Sequence, residues 1–155
     1  MIALAIRGDA TVGLNLVSMG MRVRARLLED ITRLTITLQA KVKGEKLTGQ
    51  VLHVRTGRLR RSINTRIDQS STTIRGTVGT NVPYAQIHEY GGVVNVREHL
   101  RAVTQVFGRA VTPTTATVRA HTATYPERSF LRSALREMQP TILATLRAGI
   151  AEATA

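Results

Sequence analysis

TGRLRRSINTRIDQSSTTIRGTVGTNVPYAQIHEYGG, residues 56–92, is the stretch on which the fold turns. Thr56 suits a helix N-cap, because its hydroxyl can accept from a backbone N–H left orphaned at a helix start. It would open a short helical turn over residues 57–61. Ile63, Thr65 and Ile67 then alternate with Asn64, Arg66 and Asp68. A period of two is that of a strand with one covered face. Gln69-Ser70-Ser71-Thr72 is a polar turn, and Ile74, Gly76 and Val78 resume the alternation. Residues 62–80 therefore read as a β-hairpin. Gly76 and Gly79 would let another backbone come close. Pro83 marks a break, and residues 84–89 form a short helix stopped by Gly91-Gly92.

Toward the N-terminus, Leu16, Val23, Leu27, Ile31, Leu34, Leu38 and Val42 recur mostly at spacings of three and four. That is one face of a helix over residues 14–47. At 1.5 Å per residue, ~32 residues span ~48 Å, more than a small domain can cover. Either a partner covers the excess, or the helix bends near Thr35-Ile36-Thr37. Residues 1–13 are candidates for a flexible arm.

Toward the C-terminus, Val93, Val94, Val96 and Val103 favour strand by β-branching. Val96, Leu100, Val103 and Phe107 would also fit a helical face. Strand is preferred, because TATVRAHTAT (residues 115–124) is a clear β-run that can pair with it. The pair makes a long, arm-like second hairpin over residues 93–124, with Gly108 and Pro113 at its tip. Phe130, Leu131, Ala134, Leu135 and Met138 return to helical spacing. Pro140 is expected to break this helix and to start a second piece carrying Ile142, Leu146 and Ile150. The fold class is α+β: one domain over residues 1–155, with the sheet in 56–124 and C-terminal helices in 127–153.

The chain has 155 residues, 43% apolar but only 3% aromatic, with a net charge of +12. A core of Ala, Val, Ile and Leu buries little area per side chain, which leaves burial for partners to complete. All but three of the 22 basic residues are Arg. With no Cys, disulfides, thiolate zinc sites and Cys nucleophiles are excluded. The first residues lack the basic flank of a signal peptide, and no apolar run is long enough to span a membrane.

No constellation for catalysis emerges. His88-Glu89 is followed by Tyr90-Gly91-Gly92, so the second His of a zincin helix is missing. His99 and His121 could meet across the second hairpin, but two imidazoles alone make a poor metal site. There is no Gly-x-Ser-x-Gly elbow, no phosphate loop and no carboxylate pair. The chain is read as a non-enzyme without cofactor or metal. Arg55, Arg58, Arg60 and Arg61 form the densest basic run. They could contact phosphates, face a neighbouring subunit, or simply be solvated.

Three motifs in order, TGRLRRSI (56–63), VGTNVPYAQIHEYGG (78–92) and PERSFLRSAL (126–135), resemble the tail-completion and head–tail connector proteins of long-tailed bacteriophages. The positions that carry the likeness are Thr56, Gly57, Leu59, Ile63, Gly79, Tyr84, Ala85, Glu89, Tyr90, Gly91, Phe130 and Leu131. Ser129 and Ser133 depart from it, standing where prolines are usual. The resemblance implies a virion protein that forms a ring, commonly hexameric, at the neck. Its partners would be the head connector or adaptor and the tail tube or terminator, with packaged DNA nearby and no membrane. It would reside in the virion after assembly in the host cytoplasm. Alternatives are a head-closure or other connector subunit, or a basic nucleic-acid-binding protein. In a ring, the basic run would face the lumen or a subunit interface.

Overall fold

The computed structural model describes residues 10–106 and 108–155. The fold is α+β, with a long N-terminal helix, small antiparallel ladders and a C-terminal helix. It forms two compact units, Met1–Val82 with Phe130–Ala155, and Pro83–Ser129.

In the first unit, α1 (Ala10–Lys41) runs unbroken through Thr35-Ile36-Thr37. Thr32, Thr35 and Thr37 each donate a hydroxyl to the carbonyl four residues back, so these β-branched residues satisfy themselves inside the helix. The helical course then widens into a π-type coil, Val42–Gln50, where Leu47 and Gly49 leave helical geometry. The expected helix over 14–47 is thus present, starting earlier than its apolar stripe and ending in this coil. Of the candidate flexible arm, residues 10–13 lie in α1, and residues 1–9 lie outside the described residues.

After the short α2 (Arg58–Ser62), β1 (Asn64–Gln69) pairs antiparallel with β2 (Ile74–Gly79), Asn64 facing Gly79 and Gln69 facing Ile74. Ser70 and Thr73 close the turn through two hydrogen bonds. α1 packs on this hairpin and on α4 (Leu131–Thr154). Gly76 makes the first contact possible: a Cβ there would collide with the Thr35 hydroxyl. Arg24 ties the far end, donating to the carbonyls of Ser70 and Ser71. Val42, Leu47, Ile63, Phe130, Ala134 and Met138 are buried in this unit.

α4 corrects one expectation. It does not break at Pro140 but continues through it. Proline in a helix interior costs about 3 kcal/mol. Pro140 and Arg136, whose carbonyl loses its amide partner, are both exposed, so water can take the bond. Ala134 and Met138 before the proline and Gly149 after it are all buried, so packing holds both halves in one line.

The second unit holds α3 (Ala85–Tyr90) and a long ribbon. Gly91 (φ +68) ends α3, and a Cβ there would press on the backbone of Tyr125 and Glu127. The Arg128 amide donates to the His88 carbonyl at the end of α3 (2.7 Å). β3 (Gly92–Val96) pairs with β6 (His121–Tyr125), and β4 (His99–Val106) with β5 (Arg109–Val118). Val96 faces His121 and His99 faces Val118. Two unpaired residues on each strand, 97–98 and 119–120, separate the two ladders, so the hairpin is continuous in sequence but interrupted in its pairing. Its 92–106 strand extends roughly 50 Å at about 3.3 Å per residue. Gly108 (φ +79) is at the tip as expected. Pro113 is not at the tip but inside β5, where the register shifts opposite Val103 and Gln105. A residue with no N–H is tolerated at such a bulge.

Candidate functional site

The basic turn comes first. The N-cap position of α2 is Gly57, in left-handed geometry (φ +70), and not Thr56. The Arg58 amide reaches the Thr56 hydroxyl only weakly, at 3.4 Å. Arg61 folds back onto the turn and donates to the Thr56 carbonyl at 3.2 Å, so one of the four arginines supports the local structure. Arg55, Arg58 and Arg60 are exposed. They have no ion-pair partner among the described residues.

The other motif positions are scaffold. Ile63 is fully buried, and its carbonyl accepts from Gln39 of α1 at 2.7 Å. Leu59 is half-buried. Ser62 bonds the Thr80 hydroxyl at 2.6 Å, pinning the open end of the β1–β2 hairpin beside Gly79. In the second unit Ala85 is buried, while Tyr84 and Tyr90 are exposed. Glu89, also buried, accepts from the Ser129 hydroxyl at 3.0 Å. His88 meets Tyr84 and Tyr125 edge-on, with centroids 5.9 and 6.4 Å apart. His88-Glu89 is therefore a packing pair with named partners. Phe130 is buried and Leu131, half-buried, opens α4.

Two charge clusters stand where sequence reasoning saw only scattered charges. Asp30, fully buried on α1, pairs with Arg33 at 2.5 Å and Arg26 at 3.3 Å, and Arg26 reaches Glu152 of α4 at 3.0 Å. Buried Lys46 pairs with Glu137 at 2.6 Å and donates to Gln50 at 3.0 Å. Lys41 joins from the side, 3.2 Å from Glu137 and 2.7 Å from Glu45. Lys46, and then Lys41, hold the Glu137 carboxyl below its ordinary value of 4.5. Glu45, and then Glu137, raise Lys41 above 10.5. Charges 91 residues apart leave no local signal, although the i,i+3 and i,i+4 spacings around Asp30 are legible in hindsight.

Two surfaces are left open within the chain. On α1, Ala25, Leu28, Glu29, Thr32, Arg33 and Ile36 line a shallow groove of about 540 Å3. Met21, one turn before it, is 63% exposed. This is a second apolar face beyond the one packed on α4 and β2. The ribbon is exposed along almost its whole length, with Leu100 at 71% and Val93 at 61%. Two strands with neither face covered are marginal in water.

Among the described residues, no three His, Asp or Glu side chains gather closely enough to hold a metal ion. No described helix is long and apolar enough to cross a membrane. The features that stand out are surfaces rather than a cleft of reactive groups, the character of a protein that works by assembling. The chain belongs to the phage virion morphogenesis family, whose profile matches residues 32–148. That span runs from within α1, across the ribbon, into α4. Neither a curated protein nor a solved structure matches the chain. The protein is a structural, virion-assembly protein of a bacteriophage.

Proposed function

We propose that this protein forms a closed ring at the head–tail neck of the virion, where it completes or terminates the tail and joins it to the head connector. The observation that carries this reading is the exposed ribbon of residues 92–125. A two-stranded ribbon about 50 Å long needs a neighbour to cover it. In a ring with head-to-tail contacts, each subunit offers its arm to the next until rotation closes the circle. The second apolar face of α1 supplies a matching uncovered surface. The motif likeness to tail-completion and connector proteins points to the neck. Arg55, Arg58 and Arg60 would then face the lumen or the adjoining subunit.

Size-exclusion chromatography with light scattering, on the protein alone and with purified tails, tests this. A ring, free or formed only on tails, is the expected result. A persistent monomer or dimer that ignores tails would overturn it.

A further inference from the structure

The ribbon carries a short basic stretch near its middle, Arg97 to Arg101. Directly opposed residues share a face, and successive residues alternate. Thr122 donating to Asn95 across the ladder, at 3.1 Å, fixes that assignment. His99 and Arg101 therefore share a face of the β4–β5 ladder, and Arg97 lies in the unpaired step just before it; all three are exposed. Val118 faces His99 and Ala116 faces Arg101, both short and uncharged. Glu98, the only acid in residues 92–125, lies in the same step as Arg97, and Arg119 lies in the step on the other strand. Neither Arg97 nor Arg101 has an ion-pair partner among the described residues.

We infer that this basic stretch of the ribbon binds the phosphate backbone of double-stranded DNA without reading its sequence. The stripe spans roughly 13 Å at about 3.3 Å per residue, while a duplex presents a charge every ~1.7 Å of axis. Several phosphates therefore fall within reach of the arginines at once. A two-stranded ribbon also fits the major groove, ~12 Å wide, which lets both rims approach it. Base readout is not supported: no Phe, Tyr or Trp lies in residues 93–105 to stack on a base, Asn95 is already bonded to Thr122, and the other amide, Gln105, lies four residues beyond Arg101. His99 adds little as a donor, because its Nδ1 is bonded to the Arg97 carbonyl at 3.0 Å. The cations that matter are the two arginines. This goes beyond the neck reading and does not depend on it.

Fluorescence anisotropy with the purified full chain and two unrelated duplexes, across a salt series, tests the inference. Replacing both arginines (Arg97→Gln with Arg101→Gln) should weaken binding to both duplexes equally, by roughly tenfold, and flatten the log–log salt slope by about 2. The exposed α4 pair, Arg136→Gln with Arg147→Gln, serves as a control for net charge and should change binding far less. An unchanged slope in the ribbon variant overturns the inference. So does an equal loss in the control, or complete loss from Arg58→Gln with Arg60→Gln while the ribbon variant binds normally. Light scattering on the same samples reports ring formation separately, so a failure of the neck reading is distinguishable from a failure of this one.

Discussion

Gly149 of α4 lies directly against the carboxylate of Asp30 on α1, so closely that any Cβ would overlap Oδ2. Asp30 is fully buried and held from both sides by Arg26 and Arg33, so it has little room to yield. An exposed mid-helix Gly→Ala change gains about 1 kcal/mol of helix propensity. Here overpacking, typically about 1–3 kcal/mol, should outweigh it. Gly149→Ala is expected to lower the denaturation midpoint, as measured by circular dichroism in urea. Asp30→Ala should cost more, toward the 3–5 kcal/mol seen when one partner of a buried pair is removed, reduced because both arginines still touch water.

The contact between Gly76 and Thr35 makes a second, independent test. Gly76→Ala pushes β2 away from α1 and should destabilise by about 1–3 kcal/mol. Thr35→Ala removes the obstructing hydroxyl, so the double variant should recover part of the loss. A double-mutant cycle measures that coupling. Strict additivity would mean that the two residues do not meet.

The Lys46–Glu137–Lys41 cluster sets a pH dependence. Glu137 is held below its ordinary carboxylate value by Lys46 first and Lys41 second. Its contribution is therefore present above the unfolded value of 4.5 and lost as pH falls through the lower folded one. Lys41 is raised, by Glu45 first and Glu137 second. Its contribution is complete below 10.5 and lost as pH rises through the higher folded value. Glu137→Gln should lower the melting temperature at neutral pH and converge with the unmodified protein at strongly acidic pH. Parallel pH–melting curves would contradict this.

Scaffold and surface within the 56–63 motif should separate cleanly. Ile63→Ala opens a cavity in the core and should cost about 2–5 kcal/mol. Arg58→Gln and Arg60→Gln, on exposed side chains, should stay within about 0.5 kcal/mol. Urea denaturation of the three variants checks both.

Much of this fold was legible in the sequence. The β1–β2 hairpin was, because Ile63, Ile67, Ile74 and Val78 keep a strict period of two on either side of a polar turn. The glycine stop after α3 was legible too, since Gly91 needs its positive φ. The strand choice for residues 93–107 came from its partner, residues 115–124, rather than from its own ambiguous pattern. Pro140 was misread because local chemistry argues for a break, whereas packing on both sides of it decides the outcome. The capping role given to Thr56 fell to Gly57, a difference of backbone geometry that residue preference does not encode. Of the candidate site, the basic run Arg55, Arg58, Arg60 and Arg61 was legible, and the bond from Arg61 back to the Thr56 carbonyl was not. The buried charges at Asp30 and Lys46 depend on partners brought in by α4.

The ribbon is where the proposed assembly is most exposed to test. Hydrogen exchange should find the amides of residues 92–125 poorly protected in the isolated chain, since two uncovered strands open easily, and strongly protected in assembled particles. Equal protection in both states would mean that the ribbon needs no neighbour.

The most direct measurement of the central claim is the position of the protein in the particle, by electron microscopy of virions carrying an epitope tag on this chain. The account predicts label at the junction of head and tail, one cluster per particle. Label spread along the tail or over the capsid, or finished virions without it, would contradict the account.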